Sequence, residues 1–211
     1  MIFLNRFEAG KELASNLLTS LDLSPNSSLV VLAIPRGGVI IGSQLSSALK
    51  CPLDVIVTKK IGAPGNPELA IGAVGPIGEP VIDEALATRV GADENYLKSK
   101  ILNLKSELAN RLKEYRGDKP PLDLKNKVVV ITDDGVATGA TMKAAIEILR
   151  QESPQKIVVA VPVIAKDALK EIENLADEVI YLEAPELFFA VGQFYQDFKQ
   201  VMNEEVKELL K

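Results

Sequence analysis

Five apolar runs constrain this chain more than anything else in it. "SLVVLAI" ends at Ile34, "PLDVIVT" at Thr58, "KVVVIT" at Thr132, "KIVVAVPV" at Val163 and "DEVIYL" at Leu182. None shows a sustained polar–apolar alternation. Each therefore reads as a strand buried on both faces, the signature of a parallel sheet. Helical patterns lie between most of them: "GVIIGSQLSSALK", "TGATMKAAIEILRQ" and "KDALKEIENLA". The alternation predicts a doubly wound α/β fold on a mostly parallel five-stranded sheet. At 211 residues the chain is long enough for one domain spanning 1–211 with a sizeable core.

Two stretches interrupt the alternation. Residues 59–82, "KKIGAPGNPELAIGAVGPIGEPVI", are punctuated by glycine and proline. They read as a long loop running into a hairpin, with "ELAIGAV" as a strand and "GPIG" as a turn. Loops of that length are commonly lids. The second interruption is a helix over about 93–116. Leu97, Ile101, Leu104, Leu108, Leu112 and Tyr115 fall on one face, a stripe that packs on the body or on a second subunit.

Composition removes several chemistries. The chain has no histidine, so imidazole metal sites and histidine acid–base catalysis are excluded. Its one cysteine, Cys51, forms no internal disulfide and has no histidine to activate it. The net charge of -5 gives no basic footprint, so nucleic acid is not expected as a partner. The opening "MIFLNRFEAG" is too short and polar for a leader, and no membrane span is seen. A cytoplasmic protein is expected.

The chemistry concentrates in "VVVITDDGVATGATMKAA", residues 128–145. An apolar strand ends in two adjacent acids, Asp133 and Asp134. A small, hydroxyl-rich turn follows and opens a helix. In open parallel sheets ligands bind beyond the carboxyl ends of strands. Small residues at a helix N-terminus let backbone N–H groups approach an anion, and the helix dipole favours it. Thr138 and Thr141 add hydroxyls. One turn thus offers a phosphate cradle beside two carboxylates, which suits a phosphate with vicinal hydroxyls, as in ribose 5-phosphate. The alternative is an acidic strand end followed by a capped helix. A Walker A loop is excluded here, because the turn contains no Gly-Lys-Ser/Thr.

This stretch resembles the phosphoribosyl diphosphate (PRPP) motif of the type I phosphoribosyltransferases. The resemblance implies that Asp133 and Asp134 bind the ribose 2- and 3-hydroxyls, and that Ala137, Thr138, Gly139, Ala140 and Thr141 hold the 5-phosphate. "AIPRGGVIIG" is similar to the family's pyrophosphate loop, which assigns Arg36, Gly37 and Gly38 to pyrophosphate and implies a cis peptide between Pro35 and Arg36. The 59–82 stretch falls where the family keeps its lid. Lys59 then joins the pyrophosphate site and Lys60 the catalytic residues, although both also read as solvated lysines at a strand end. "ELFFAVGQFYQDFKQV" resembles the hood of purine-type members, about 183–200, with Phe189 and Ala190 at the base. A small aromatic core is the other reading of Phe188, Phe194 and Phe198.

The implied reaction transfers the 5-phosphoribosyl group of PRPP to a nitrogen acceptor, a nucleobase, and releases pyrophosphate. Mg²⁺ is the implied cofactor, held mostly by substrate oxygens, with no protein metal ligand expected. A homodimer is implied as well. The acceptor stays open: Ala137 is as in adenine-type members, whereas Lys166 matches a lysine that contacts the 6-oxo group in oxopurine members. The alternative function is a PRPP- or nucleotide-sensing regulator of the same fold without significant catalysis. Both acids are expected at a solvent-facing strand end, where conversion to Asn leaves folding intact.

Overall fold

A computed structural model describes residues 2–21, 28–76 and 78–211. The five apolar runs form strands β1 (Leu29–Ala33), β2 (Leu53–Val55), β6 (Val128–Thr132), β7 (Lys156–Val163) and β8 (Glu178–Glu183). They pair in the order β2-β1-β6-β7-β8, and every pair is parallel.

Successive side chains on a strand point to opposite faces, and both faces here are packed. Val30, Leu32, Val129, Ile131, Ile157 and Val159 meet Met142, Ile146, Leu149, Leu169 and Ile172 on one side. These partners come from α5 (Ala140–Arg150) and α6 (Lys166–Glu173). Val31, Val128, Val130, Val158 and Ala160 meet Leu13, Leu17, Ile41 and Leu45 on the other, from α1 (Arg6–Ser20) and α2 (Gly37–Leu49). Burial on both faces explains why the strands lack alternation in sequence.

The 59–82 stretch differs from the expected loop. β3 (Lys59–Ala63), β4 (Asn66–Val74) and β5 (Val81–Ile82) form a separate antiparallel sheet, ordered β3-β4-β5. Lys59 and Lys60 thus start a strand, which is irregular on both sides of Gly62. The "GPIG" turn includes residue 77, outside the described residues. Its flank Gly78 has φ +80°.

The second interruption is a helix, as its stripe predicts. After the short α3 (Glu84–Arg89), α4 runs Glu94–Arg116 and is capped by Asp93, which accepts from the Tyr96 amide at 2.7 Å. Leu104, Leu108, Leu112 and Tyr115 are buried, together with Ile61 and Ile71 of the small sheet and Val206 of α7 (Asn203–Leu209). The stripe therefore packs on the body of its own chain. Tyr96 donates from its hydroxyl to the Gly62 carbonyl at 2.7 Å. No helix among the described residues is long and apolar enough to cross a membrane.

Candidate active site

The sheet order locates the crevice before any side chain is considered. From β1 the chain winds outward to β2, makes the excursion through the small sheet and α4, and returns on the other side of β1 as β6. The reversal between β1 and β6 is a topological switch point, where open α/β sheets hold their ligands. The carboxyl ends of these two strands carry the Arg36–Gly38 turn and the acids Asp133 and Asp134. They are tied at their tips, since the Ile34 amide donates to the Thr132 carbonyl at 2.9 Å.

The two turns touch. The peptide joining Pro35 to Arg36 is cis. A methyl placed on Gly38 would lie 2.8 Å from the Asp133 Cα, and one on Gly37 would lie 1.9 Å from Asp134 Oδ2. Only glycine permits that approach. Two helices also open here, α2 at Gly37 and α5 at Ala140, and the residue before each start offers no capping side chain. Their N-terminal N–H groups and dipoles face the crevice from either side of the acids. Gly139 enters α5 with φ +75°, and Ala137, Thr138, Ala140 and Thr141 around it are all exposed.

The acids are less exposed to water than expected. The Asp134 amide donates to Asp133 Oδ1 at 2.8 Å. Burial, and behind it the charge of Asp134, pushes the Asp133 carboxyl well above the usual carboxylate range; Arg6 pulls it down and is outweighed. Asp134 is paired with Arg6, whose Nε donates to Oδ2 at 2.7 Å. The two side chains are 14% and 10% exposed. This corrects the expectation of solvent-facing acids: Asp134 is half of a mostly buried ion pair.

Residues 184–200, most of the segment expected as the hood, lie over this crevice. Its single 3-10 turn, Val191–Phe194, packs on Gly135, where an added methyl would meet Val191 at 2.6 Å. Tyr195 donates to the Asp134 carbonyl at 2.6 Å. Burial, then the Asp134 charge, raises its hydroxyl well above its ordinary value, so it remains a donor. Phe194 is buried and Phe188 packs on it, the aromatic core foreseen for this pair. Phe189 is 84% exposed. Gln193 holds it out by accepting from the Phe189 and Ala190 amides at 2.9 and 3.2 Å. Lys166, at the start of α6, is ion-paired with Glu186 of the hood.

A cleft of about 390 Å³ opens beside the acids, lined by Arg6, Arg36, Gly37, the hood residues Phe198 to Gln200, and Val201. Three cationic side chains, Arg6, Arg36 and Lys199, border it. The structure thus brings together the Arg36–Gly38 turn, the two acids, the turn into α5 and the hood. It leaves Lys59 and Lys60 on the small sheet, where Lys59 pairs with Glu107 and Lys60 with Glu68.

Sequence reasoning passed over Arg6 and Tyr195. A signal for Arg6 existed. The buried face of α1 is Arg6, Ala9, Gly10, Leu13, Ala14 and Leu17, a helical stripe headed by a cation. Tyr195 offered none, because its role depends on a carbonyl sixty-one positions away.

The sequence pattern of the Phosphoribosyl transferase domain matches residues 4–199. The chain belongs to the phosphoribosyltransferase family. Its five-stranded parallel sheet is the type I phosphoribosyltransferase fold. Among relatives, "Putative phosphoribosyl transferase Rv0571c" of Mycobacterium tuberculosis H37Rv is 38% identical over 209 residues, covering 99% of this chain and 46% of that protein. The chain thus spans about half the length of the curated relatives it matches. The crystal structure of TT1426 from Thermus thermophilus is 42% identical, covers 100% of this chain and 98% of that one, and superposes with a TM-score of 0.87. A Neisseria gonorrhoeae protein crystallised with bound ppGpp shares the fold at 14% identity and a TM-score of 0.51, covering 99% and 94% of the two chains.

Proposed function

We propose that this phosphoribosyltransferase domain binds PRPP in the β1/β6 crevice and transfers its 5-phosphoribosyl group to a nucleobase nitrogen. The observation that carries the reading is the meeting of two uncapped helix starts around one pair of carboxylates. Two anionic groups and a diol between them match that arrangement. The turn Ala137–Thr141 holds the 5-phosphate, through amides at the start of α5 and the Thr138 and Thr141 hydroxyls. Arg36, Gly37 and Gly38, with the α2 N-terminus, take the pyrophosphate.

The bond from C1 to the pyrophosphate oxygen breaks, and a bond from the acceptor nitrogen to C1 forms. The ring passes through an oxocarbenium-like state. Asp133 and Asp134 hold the ribose hydroxyls, and the Asp134 carboxylate places negative charge near the developing cation. Phe189 and Ala190, exposed on the hood, offer the base a stacking surface. Lys166 contacts the base edge once released from Glu186. Lys59 and Lys60 belong to a hairpin that closes over the diphosphate, exchanging Glu107 and Glu68 for its oxygens and excluding water.

Mg²⁺ suits the donor set. Among the described residues no group of three or more His, Cys, Asp or Glu side chains could hold a metal alone. Mg²⁺ ordinarily keeps several waters and is bound through substrate phosphates, so the diphosphate and ribose oxygens would supply most of its ligands beside the acids. When bound, the ion would neutralise the leaving diphosphate. A homodimer belongs to the same reading: Phe7 and Leu209, exposed along one groove, are apolar area that a second copy would cover.

The test is acceptor-dependent pyrophosphate release. Adenine, 6-oxopurines, pyrimidines and simple amines are screened with PRPP and Mg²⁺. Release above the acceptor-free rate with one class identifies the acceptor. PRPP binding with no release for any acceptor would favour the sensing alternative.

A further inference from the structure

One buried charge is left without a task by this reading. Arg6 opens α1, outside every motif that carries the family resemblance. Its position on the helix stripe suits an apolar side chain, and a guanidinium there gives up hydration that only well-placed partners offset. Its partners come from two separate places. Nε donates to Asp134 Oδ2 at 2.7 Å, and Nη1 donates to the Lys199 carbonyl at 2.8 Å. The guanidinium also lies 3.7 Å from the centre of the Phe198 ring. Both the ribose turn and the hood are therefore held by one planar group.

We infer that Arg6 is a positioning residue: it fixes the Asp134 carboxylate for the ribose diol and ties that orientation to the hood. The inference rests on the phosphoribosyl reading of the crevice. Asp134 is gripped twice from outside its own turn, at the side chain by Arg6 and at the carbonyl by Tyr195. Both grips lead to the same hood segment, since Arg6 bonds to Lys199 and Tyr195 stacks on Phe198 with ring centres 5.1 Å apart. A hood that shifts on taking the base moves both grips, and the acid with them. Arg6 is not itself a diphosphate ligand, although it borders the basic cleft. Two of its donors are committed, one face is covered by Phe198, and its side chain is 10% exposed. Lysine cannot replace it, because one ammonium lacks the fork that reaches Asp134 and the Lys199 carbonyl together.

The experiment compares three ligands on wild type, Arg6→Gln and Arg6→Lys by calorimetry with Mg²⁺: PRPP, ribose 5-phosphate and inorganic pyrophosphate. Positioning of the ribose acid predicts that Arg6→Gln loses about ten- to a hundredfold for PRPP and ribose 5-phosphate and stays within about twofold for pyrophosphate. Arg6→Lys should show the same selectivity with a smaller loss, and it carries the comparison if Arg6→Gln does not fold. Loss of pyrophosphate with ribose 5-phosphate spared would make Arg6 a direct diphosphate ligand and overturn the inference. An equal loss of all three ligands in a folded variant would overturn it too, by leaving only a structural role. Wild type that binds both sugar phosphates while the variants bind like it refutes Arg6 alone. Wild type that binds neither refutes the phosphoribosyl reading, and the inference with it.

Discussion

Gly38→Ala tests whether the contact between the two turns is what shapes the site. The added methyl would sit 2.8 Å from the Asp133 Cα and 3.0 Å from both Asp133 Oδ1 and the Thr132 carbonyl oxygen. Ordinary van der Waals contact begins near 3.4 Å, so the closest approach is about 0.6 Å too short. Two of these three atoms are backbone and cannot rotate away. The strand ends must part. Overpacking of this kind costs about 1–3 kcal/mol, or roughly 2–12 °C of melting temperature for a chain of this size. The functional loss should be larger, because sub-ångström displacement of reacting groups costs up to about a hundredfold in rate. Gly42→Ala is the control, one helical turn further along α2. Its methyl would meet the Leu53 side chain at 2.9 Å, Ala33 Cβ at 3.0 Å and Thr132 Cγ2 at 3.3 Å, an approach of similar closeness made only to side-chain atoms and to neither acid. Chemical denaturation measures stability, and pyrophosphate release measures turnover. A folded Gly38→Ala with wild-type turnover refutes the argument, as does a Gly42→Ala that loses as much activity.

Three further outcomes follow from the same geometry. Asp133 keeps its proton in the folded state to higher pH than in the unfolded chain, so its contribution to stability falls as pH rises from its ordinary value near 3.8 toward the raised one. Asp133→Asn has no proton to lose and should gain on wild type steadily across that window in urea titrations; a pH-independent difference contradicts the raised carboxyl. Asp134→Asn should cost about 3 kcal/mol by leaving the Arg6 cation buried without its counter-charge, and a loss under about 1 kcal/mol would place the pair among weak surface bridges. Amide exchange at the outer end of the hairpin, residues 64–70, should slow when PRPP and Mg²⁺ are added, and equal protection with and without ligand removes it as a lid.

The parts of the fold that were legible in sequence are those that local pattern fixes. β6 and β7 are apolar along their length because both faces are covered, and α4 shows its buried Leu104, Leu108, Leu112 and Tyr115 at spacings of four, four and three. Asp133 and Asp134 were legible because a strand, two acids and a small turn into a helix are contiguous. Lys59–Ala63 read as loop because Gly62, Pro64 and Gly65 punctuate it. Its strand state comes from pairing with β4 and from the Tyr96 hydroxyl on α4, neither of which is local. Phe189 and Phe194 lie in one irregular segment with no periodicity, so nothing nearby marks one as exposed and the other as buried. What separates them is the Gln193 side chain, which closes on the Phe189 and Ala190 amides. Asp134 read as a solvated acid because its partner lies 128 positions away.

The same separation governs the order in which the site can be completed. Phe3 pairs beside Tyr195, and Arg6 bonds to Asp134 and to the Lys199 carbonyl. A ribosome makes α1 before the acids, and the acids before the hood. Until residues 195–199 leave the exit tunnel, the Arg6 guanidinium has no carbonyl to take its second bond and no aromatic ring over its face. The sheet can assemble strand by strand as it emerges, but the crevice cannot reach its final form co-translationally from N-terminal contacts alone. Closing it joins segments nearly the full described length apart, the kind of contact whose loop entropy slows folding most. A nascent chain of this kind should hold a packed sheet well before it holds a competent site.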